Sequence, residues 1–433
     1  MLRIALLGAL VAVAPLAAQG PAPAPAPVPA EPPPAAAALF RRLLPLLARI
    51  EVTASGAGAK GGVGTGFVVS TAGHLLTNFH VISPVVHQPA AFRATVTLGG
   101  EVRAARVIAV DVIQDLALLE TGAPQPAALA FAPPPEQGTR LYALGHPRDL
   151  GLSIVEGTYN GLLADRIYPK VHFTGALNPG MSGGPAVTAD GRVVGVNVAT
   201  QGNEVSFLVP GARAAELVTR ALAAPRPADS LAADVAAQLR AFDAEHFATL
   251  LAAPVATVQL GPFRAPTRPA PWFRCWGDAR EPTPQAPVRQ VQHSCSTEDD
   301  VFISETLQAG AVSLSHTLLG TDRVGALRFS AAYEQAFKAD LPFDGTAEEA
   351  TRFRCTTRNV RQATLVVRAQ LCVRRYRRLP GLYEAAMRTA TLGGGRTGLV
   401  SDLVLSGTTF PTIQRVTQRF IEALAAAPAS AAP

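Results

Sequence analysis

The hydrophobic runs in the first half of the chain are short, and glycine, proline or aspartate separates one run from the next. Short runs rich in valine, leucine and isoleucine are typical of β-strands, and the turn residues between them are typical of hairpins. The clearest runs are residues 66–69, 75–77, 94–98, 116–119, 141–144 and 193–198. This part of the chain therefore predicts an all-β barrel or sandwich.

Other segments follow the helical period of 3.6 residues. In residues 39–50, Leu43, Leu46 and Leu47 recur at helical spacing. Three later helices are predicted from apolar positions with this period: Ala215, Leu217, Val218 and Leu222; Leu231, Val235, Leu239 and Phe242; and Ile413, Val416, Phe420 and Leu424. Because residues 365–373 alternate instead as a strand does, the second half of the chain is predicted to mix helices and strands.

The N-terminus has the pattern of a secretory signal peptide. Arg3 precedes an apolar run over residues 4–16, and the small residues Ala17 and Ala18 follow it. This order of basic, apolar and small residues predicts cleavage after residue 18 and export to the periplasm or the medium. No later run is apolar for long enough to cross a bilayer, so no stable membrane span is expected after cleavage.

Changes in composition, and prolines that interrupt regular structure, divide the rest of the chain into segments. Residues 19–38 are rich in proline and alanine and predict an extended linker. We expect a first domain over residues 39–225, ending at the boundary that Pro225 and Pro227 mark, and a mixed α+β domain over residues 226–433. The length of 433 residues and the 48% hydrophobic content suit two folded domains.

The charge pattern argues against a nucleic-acid partner. The formal net charge is +6, but only 16% of the residues are charged and the arginines are scattered. A nucleic-acid-binding face would instead concentrate its basic residues in one patch or stripe. We expect the basic residues to be solvated surface charges.

Four cysteines, Cys275, Cys295, Cys355 and Cys372, all lie in the second half. In an exported chain they favour disulfides, and three pairings are possible. The pairs 275–295 and 355–372 close the shortest loops and are favoured on that ground. Since neither the cysteines nor the histidines His74, His87, His146 and His172 show metal-ligand spacing, no metal or other cofactor is predicted.

Ser182 is the strongest candidate nucleophile. It lies in the segment 178–185, with Gly180 two positions before it and Gly183 and Gly184 directly after it. Glycines on both sides suit a tight loop that exposes the hydroxyl and lets a substrate backbone approach. The backbone N–H groups of Gly180 and Ser182 are the expected donors to an oxyanion.

A base and an orienting acid precede this serine in the chain. His80 follows the apolar run at 75–77, and Asp115 opens the run at 116–119. Taken alone, His80 reads as a structural histidine and Asp115 as a residue at a strand start. Together with Ser182 they form the set that nucleophilic hydrolysis requires. Their order, histidine then aspartate then serine, differs from the serine, acid, histidine order of an esterase of the α/β-hydrolase fold.

These segments resemble the chymotrypsin fold, and specifically the bacterial HtrA or Deg-like branch of the trypsin-like serine peptidases. The similar motifs, in chain order, are residues 64–69, 77–81, 115–119, 144–147, 178–185 and 206–210. The resemblance covers residues 39–222 and implies an all-β double barrel with His80, Asp115 and Ser182 as the catalytic triad. It implies an exported serine endopeptidase acting on proteins or peptides, in envelope protein quality control or processing.

The sequence departs from other trypsin-like enzymes at informative positions. Met181 precedes the nucleophile where an asparagine or aspartate is usual, which predicts altered loop packing rather than inactivity. Without an acid there, activation by a buried new N-terminal amine lacks its ionic partner. The resemblance also puts Ala176 near the base of the primary specificity pocket, which predicts cleavage after small or medium aliphatic residues.

The second half resembles no family that we can name. It lacks the glycine-rich carboxylate-binding loop of the PDZ domains that follow many HtrA peptidases. Two roles are equally compatible with this sequence: a module that recruits substrates, or a disulfide-stapled domain that shields or anchors the first domain. The alternative function is therefore a catalytically silent protease-like protein that binds partners through this domain.

Overall fold

We describe the protein from a computed structural model. The structure describes residues 35–427, apart from 56–59, 201, 203, 225–230 and 339–345. The predicted signal peptide at 1–18, the linker up to residue 34 and the predicted domain boundary at 225/226 lie outside the described residues.

The segment after the proline-rich stretch changes from helix to strand. Helix α1 is Ala35–Leu43, a single 3₁₀ turn covers Leu44–Leu46, and strand β1 begins at Leu47. The linker predicted to reach residue 38 was therefore too long, because the alanines that follow Pro34 are strong helix formers. The helical spacing predicted over 39–50 was wrong from Leu47 onward, where the chain pairs with β2 (Lys60–Ser70).

Two closed barrels of six strands each follow, as the resemblance implies. The first barrel has the strand order β1-β2-β3-β6-β5-β4, and the second has the order β10-β11-β12-β9-β8-β7. The remaining strands of the first barrel are β1 (Leu47–Ala54), β3 (His74–Thr77), β4 (Phe92–Leu98), β5 (Glu101–Asp111) and β6 (Leu116–Glu120). The strands of the second barrel are β7 (Arg140–Gly145), β8 (Ser153–Leu162), β9 (Val171–Thr174), β10 (Pro185–Val187), β11 (Val193–Thr200) and β12 (Val205–Pro210).

Strand pairing in the first barrel brings two of the candidate residues to one end of the sheet. Strands β3 and β6 are antiparallel, and Thr77 pairs with Ala117. His80 follows the end of β3, and Asp115 precedes the start of β6. In an antiparallel pair, the end of one strand lies beside the start of the other. His80 and Asp115 are therefore close in space although they are far apart in the chain.

Six helices accompany the strands in the described residues. Besides α1 they are α2 (Phe79–His87), α3 (Gly211–Ala223), α4 (Leu231–Ala252), α5 (Ala326–Lys338) and α6 (Phe410–Glu422). The helices predicted from periodicity correspond to α3, α4 and α6. Helix α3 buries Leu217 and Val218 but leaves Leu222 exposed, since Ala221 takes the inward position.

The second half is built on a seven-stranded antiparallel sheet with the order β15-β16-β19-β23-β22-β21-β20. Its strands are β15 (Phe273–Arg280), β16 (Arg289–Thr297), β19 (Val312–Gly320), β20 (Arg354–Arg361), β21 (Val366–Arg375), β22 (Tyr383–Leu392) and β23 (Thr397–Thr408). Two small sheets complete it: β13 (Thr257–Leu260) with β14 (Phe263–Pro266) and β24 (Ala425–Ala426), and β17 (Val301–Ser304) with β18 (Leu307–Ala309).

The four cysteines lie at opposite edges of the large sheet. Cys275 is directly opposite Cys295 across β15 and β16, and their sulfur atoms are 2.05 Å apart. Cys355 is opposite Cys372 across β20 and β21, with a sulfur–sulfur distance of 2.03 Å. Each edge hairpin thus has a cross-strand link.

The two halves share buried surface. The described residues form one compact unit. The Gln238 side chain on α4 donates to the carbonyl of Val110 (3.0 Å) and accepts from the N–H of Val112 (2.9 Å). The core of the first barrel includes the buried residues Val301 and Tyr376 of the second half. In the part of the chain that the structure describes, no helix is both long and apolar enough to span a membrane.

Candidate active site

His80 and Asp115 are joined by two hydrogen bonds. The Nδ1–H of His80 donates to Asp115 Oδ2 over 2.6 Å, and the His80 backbone N–H donates to Oδ1 over 2.8 Å. Both carboxylate oxygens are therefore engaged with one residue. Because Nδ1 holds the proton, the neutral imidazole leaves Nε2 as an acceptor.

The backbone holds Asp115 in an unusual conformation. Its φ of 53° lies in the left-handed region, which aspartate tolerates better than most residues. Its carbonyl accepts from Asn78 Nδ2 (2.8 Å) and from the N–H of Phe79 (3.1 Å). Asn78 and Phe79 directly precede His80, so the same short segment positions both partners of the pair.

The charges of two carboxylates act on the imidazole of His80. Burial lowers its pKa, but the charge of Asp115, the hydrogen bond to that carboxylate and the charge of Glu305 together raise the pKa above the ordinary 6.5. The protonated form is therefore stabilised by a carboxylate on each half of the chain. Sequence reasoning identified Asp115 but not Glu305, which lies 225 positions after His80 and has no motif around it.

The loop of Ser182 packs against the segment that leads to His80. A Cβ on Gly183, where φ is +82°, would lie 2.2 Å from Thr77 Oγ1 and 2.9 Å from the N–H nitrogen of Asn78. A Cβ on Gly64 would lie 2.6 Å from the Val81 side chain and 3.1 Å from the carbonyl oxygen of Ser182. Only glycine fits at such contacts, and these glycines let the Ser182 loop lie beside the His80 segment.

Backbone hydrogen bonds fix this loop. The N–H of Thr65 on β2 donates to the Ser182 carbonyl (2.8 Å), and the N–H of Gly183 donates to the Asn197 carbonyl (2.9 Å). Ser182 is half-buried. Within the described residues, its hydroxyl makes no hydrogen bond, to His80 or to any other group. Triad contacts are often loose in unliganded enzymes and tighten when substrate binds.

The two N–H groups predicted to hold an oxyanion are unengaged. Over the described part of the chain, those of Gly180 and Ser182 donate no hydrogen bond, whereas those of Met181, Gly183 and Gly184 do. The orientation of the Gly180 N–H follows from its neighbour, because a trans peptide directs N–H and C=O to opposite sides.

That neighbouring carbonyl is held by the loop after β7. The carbonyl of Pro179 accepts from the N–H of Arg148 (3.1 Å), so the Gly180 N–H points away from Arg148. A Cβ on Gly180, whose φ is +95°, would lie 2.3 Å from the His146 carbonyl oxygen. Gly180 is therefore required both by its conformation and by this close approach.

Thr65 holds the Ser182 loop through hydrogen bonds. Sequence reasoning missed it as a functional residue. It is fully buried, and its hydroxyl donates to the Gly180 carbonyl over 2.8 Å. The hydroxyl has one hydrogen, so the N–H of His146 (2.9 Å) and its Nδ1 (3.3 Å) both act as donors to it. Burial, with the charge of Arg49, lowers the pKa of His146 and keeps it neutral. The only sequence signal was the position of Thr65 inside the motif at 64–69.

Met181 points away from this site. Its side chain is 1% exposed and packs in the core of the second barrel with Leu141 and Tyr159. Gly145 makes room for it, since a Cβ there would lie 2.7 Å from Met181 Cα. The residue before Ser182 is thus a core residue.

A cavity of about 320 Å³ lies beside Ser182. Its lining residues come from the Ser182 loop and from β11: Leu177, Asn178, Pro179, Ser182, Asn197, Val198 and Thr200. Ala176 is exposed and is not part of this lining. The expected position of Ala176 at the pocket base differs from this arrangement, because the inward-facing residue of the segment is its buried neighbour Leu177.

One group of potential metal ligands lies far from this cavity in sequence. Among the described residues, Cys275, His293 and Cys295 have ligand atoms within 4.8 Å of one another. The two sulfurs are bonded to each other, whereas a metal ligand would be a thiolate. We assign no metal to this group.

The comparisons with known proteins agree with this arrangement. A family model described as "Trypsin-like peptidase domain" matches residues 64–196. "Serine protease HTRA2, mitochondrial" of Bos taurus is 32% identical over 169 residues, which are 36% of this chain and 36% of that protein. The "Probable periplasmic serine endoprotease DegP-like" of Chlamydia muridarum is 29% identical over 168 residues, 36% of this chain and 33% of that protein.

Among solved structures, a serine endoprotease from Yersinia pestis aligns with a TM-score of 0.39 and 25% identity, covering 44% of this chain and 67% of that one. The chain spans about a third of the length of the two curated relatives named above. The matched region includes His80, Asp115 and Ser182. The chain thus contains, over residues 64–196, a trypsin-like serine peptidase domain of the HtrA/Deg branch.

Proposed function

We propose that this chain is an exported serine endopeptidase in which His80, Asp115 and Ser182 are the catalytic triad. The observation that carries the proposal is the 2.6 Å hydrogen bond from His80 Nδ1 to Asp115, which leaves Nε2 as an acceptor. The contact of the Ser182 loop with the segment before His80 supports it further.

The chemistry follows from these groups. Ser182 attacks the carbonyl carbon of the scissile peptide while His80 Nε2 removes the hydroxyl proton. Asp115 keeps the proton on Nδ1 and stabilises the imidazolium that forms. His80 then gives its proton to the leaving amine, and an acyl-enzyme remains, which water hydrolyses by the same sequence of proton transfers.

The N–H groups of Gly180 and Ser182 stabilise the negative charge on the carbonyl oxygen. Such donors act strongly because they are oriented before the reaction begins. Here Thr65 and Arg148 orient the loop through the carbonyls of Gly180 and Pro179. We propose that substrate binding brings the Ser182 hydroxyl within hydrogen-bonding distance of His80.

The substrates are proteins or peptides that are cleaved after small or medium aliphatic residues. Leu177 and Val198 give the cavity beside Ser182 apolar walls, and none of its lining residues is charged. A lysine or arginine side chain would lose hydration there without gaining a partner.

We further propose that the protein acts outside the cytoplasm, in envelope protein quality control or processing. The N-terminal pattern at residues 1–18 supports export. The two cysteine pairs at bonding distance suit an oxidising compartment.

Labelling and digestion test the proposed activity. The wild-type protein is expected to react with a fluorophosphonate probe and to digest casein, and the Ser182→Ala variant to do neither while unfolding at the same temperature. A folded wild-type protein that stays unlabelled and leaves casein intact would overturn the proposal and favour a silent binding protein.

A further inference from the structure

The hairpin formed by β17 and β18 belongs to the second half of the chain but lies against the helix that carries His80. Four of its side chains are buried in the core of the first barrel: Val301, Ile303, Leu307 and Ala309. We call residues 301–309 the active-site hairpin. Because it shares a core with the barrel, it is a fixed part of the site's surroundings.

Polar contacts hold the hairpin on one side. Asp299, just before it, accepts from Lys170 (2.7 Å) and pairs with Arg166 (3.3 Å). The Tyr168 hydroxyl donates to the Asp300 carbonyl (2.8 Å). The three partners lie in the loop between β8 and β9, so the second barrel fixes the start of the hairpin.

Contacts on the other side fix its turn. The Nε2–H of His87, at the end of α2, donates to the Ile303 carbonyl (2.9 Å). The Ser304 hydroxyl donates to Glu349 (2.7 Å), which also accepts from Thr306. The hairpin is therefore held at its start and at its turn, and β17 packs against the helix that begins at Phe79.

Phe302 is the residue of this hairpin that faces the proposed catalytic base. Since side chains alternate along a strand, Phe302 lies on the opposite face from Val301 and Ile303, where it packs against the edge of the same core. Its ring centroid lies 5.9 Å from that of His80, with 72° between the ring planes, and 6.4 Å from that of Phe79. Phe302 is only half-buried, so part of an aromatic surface is left open beside the imidazole.

We infer that Phe302 is a specificity-determining residue, which forms an apolar wall of a substrate subsite beside His80. This inference rests on the proposed peptidase function and identifies the second half of the chain as a contributor to substrate binding. The subsite would take an aliphatic or aromatic side chain of a peptide, because an exposed phenyl surface gains from apolar contact and offers no hydrogen bond.

A positional-scanning peptide library tests the inference on the full-length protein. At one position near the scissile bond, the wild type is expected to favour leucine over alanine about tenfold in kcat/KM. Phe302→Ala should abolish that preference through a higher KM, and Phe302→Leu should keep most of it. Gln308→Ala is the matched control, since Gln308 is exposed, pairs with Phe302 across the same hairpin, and its side chain makes no hydrogen bond among the described residues.

Two results would overturn the inference. One is that Phe302→Ala has the same side-chain preference as the wild type at every peptide position. The other is that Phe302→Ala is more active towards all peptides alike, which would mean that Phe302 only blocks access to the site. If Phe302→Ala does not fold, Phe302→Trp decides, because a larger wall must shift the preference towards smaller side chains. A wild type that is neither labelled nor active contradicts the proposed function instead, so the two failures are distinguishable.

Discussion

The buried hydroxyl of Thr65 donates a hydrogen bond to the carbonyl oxygen of Gly180 over 2.8 Å, and so links the first barrel to the nucleophile loop of the second. The N–H of Thr65 also holds the Ser182 carbonyl. One residue of β2 thus restrains the Gly180–Met181 and the Ser182–Gly183 peptide groups of this loop.

Replacing Thr65 should impair the oxyanion donors more than substrate binding. In Thr65→Val the Gly180 carbonyl and the His146 N–H lose their partner, so we expect kcat to fall about tenfold or more with KM nearly unchanged. The unsatisfied buried groups should lower the free energy of unfolding by about 1–3 kcal/mol. Steady-state kinetics and urea unfolding measure the two effects.

Thr65→Ser is the control for this variant, because it keeps the hydroxyl and should retain most of kcat. If Thr65→Val and Thr65→Ser have the same kcat as the wild type, the hydroxyl does not position the loop.

The charge of Glu305 should set part of the pH dependence. His80 must be neutral to act as a base, and its pKa is raised by Asp115 and Glu305, so the acidic limb of kcat/KM should lie above pH 6.5. Glu305→Gln removes one negative charge, lowers the pKa of His80 and should move that limb to lower pH. A pH profile of kcat/KM at low ionic strength checks this, and added salt should weaken the effect.

Glu348→Gln is the matched control, since Glu348 is also exposed and lies near the same hairpin but is not among the groups whose charge acts on His80. Equal shifts in both variants, or none in Glu305→Gln, would show that Glu305 has no specific influence on the base.

The lining of the cavity beside Ser182 predicts which position controls specificity. Val198 contributes to that lining and Ala176 does not. We expect Val198→Phe to reduce kcat/KM for peptides cleaved after leucine more than for those cleaved after alanine, because the larger ring fills the cavity. Ala176→Phe adds a similar bulk outside the lining and should leave this ratio unchanged. If Ala176→Phe changes this ratio and Val198→Phe does not, Ala176 lies at the base of the pocket.

The cross-strand cysteine pairs should stabilise the second half. Each closes a short loop, with partners 20 and 17 positions apart, and chain-entropy arguments give about 3 kcal/mol for a loop of this size. The double variants Cys275→Ala/Cys295→Ala and Cys355→Ala/Cys372→Ala should each unfold at lower urea concentration. Reductant should lower the wild-type midpoint in the same way, and a midpoint that reductant leaves unchanged would contradict the prediction.

Local sequence was sufficient for several strands of the barrels, whereas the double barrel was implied only by the family resemblance. The strand-like runs at 66–69, 116–119 and 193–198 lie within β2, β6 and β11, because hydrophobic alternation and turn residues act over a few positions. Glycines at 180 and 183 pointed to a tight loop for the same local reason. Periodicity misled at Leu47, where pairing with β2 outweighs helical spacing, and at Leu222, which helix α3 leaves exposed.

What the sequence determined by itself was therefore the set of short strands, the helices α3, α4 and α6, and His80, Asp115 and Ser182 as candidates. Only the tertiary structure decided that Thr65 holds the Ser182 loop, that Phe302 of the second half packs beside His80, and that the charge of Glu305 acts on it. These contacts join residues more than a hundred positions apart. Local propensities depend on a few neighbouring residues and cannot predict which distant residues meet. They arise when separate hydrophobic surfaces are buried together, which is a property of the folded chain as a whole.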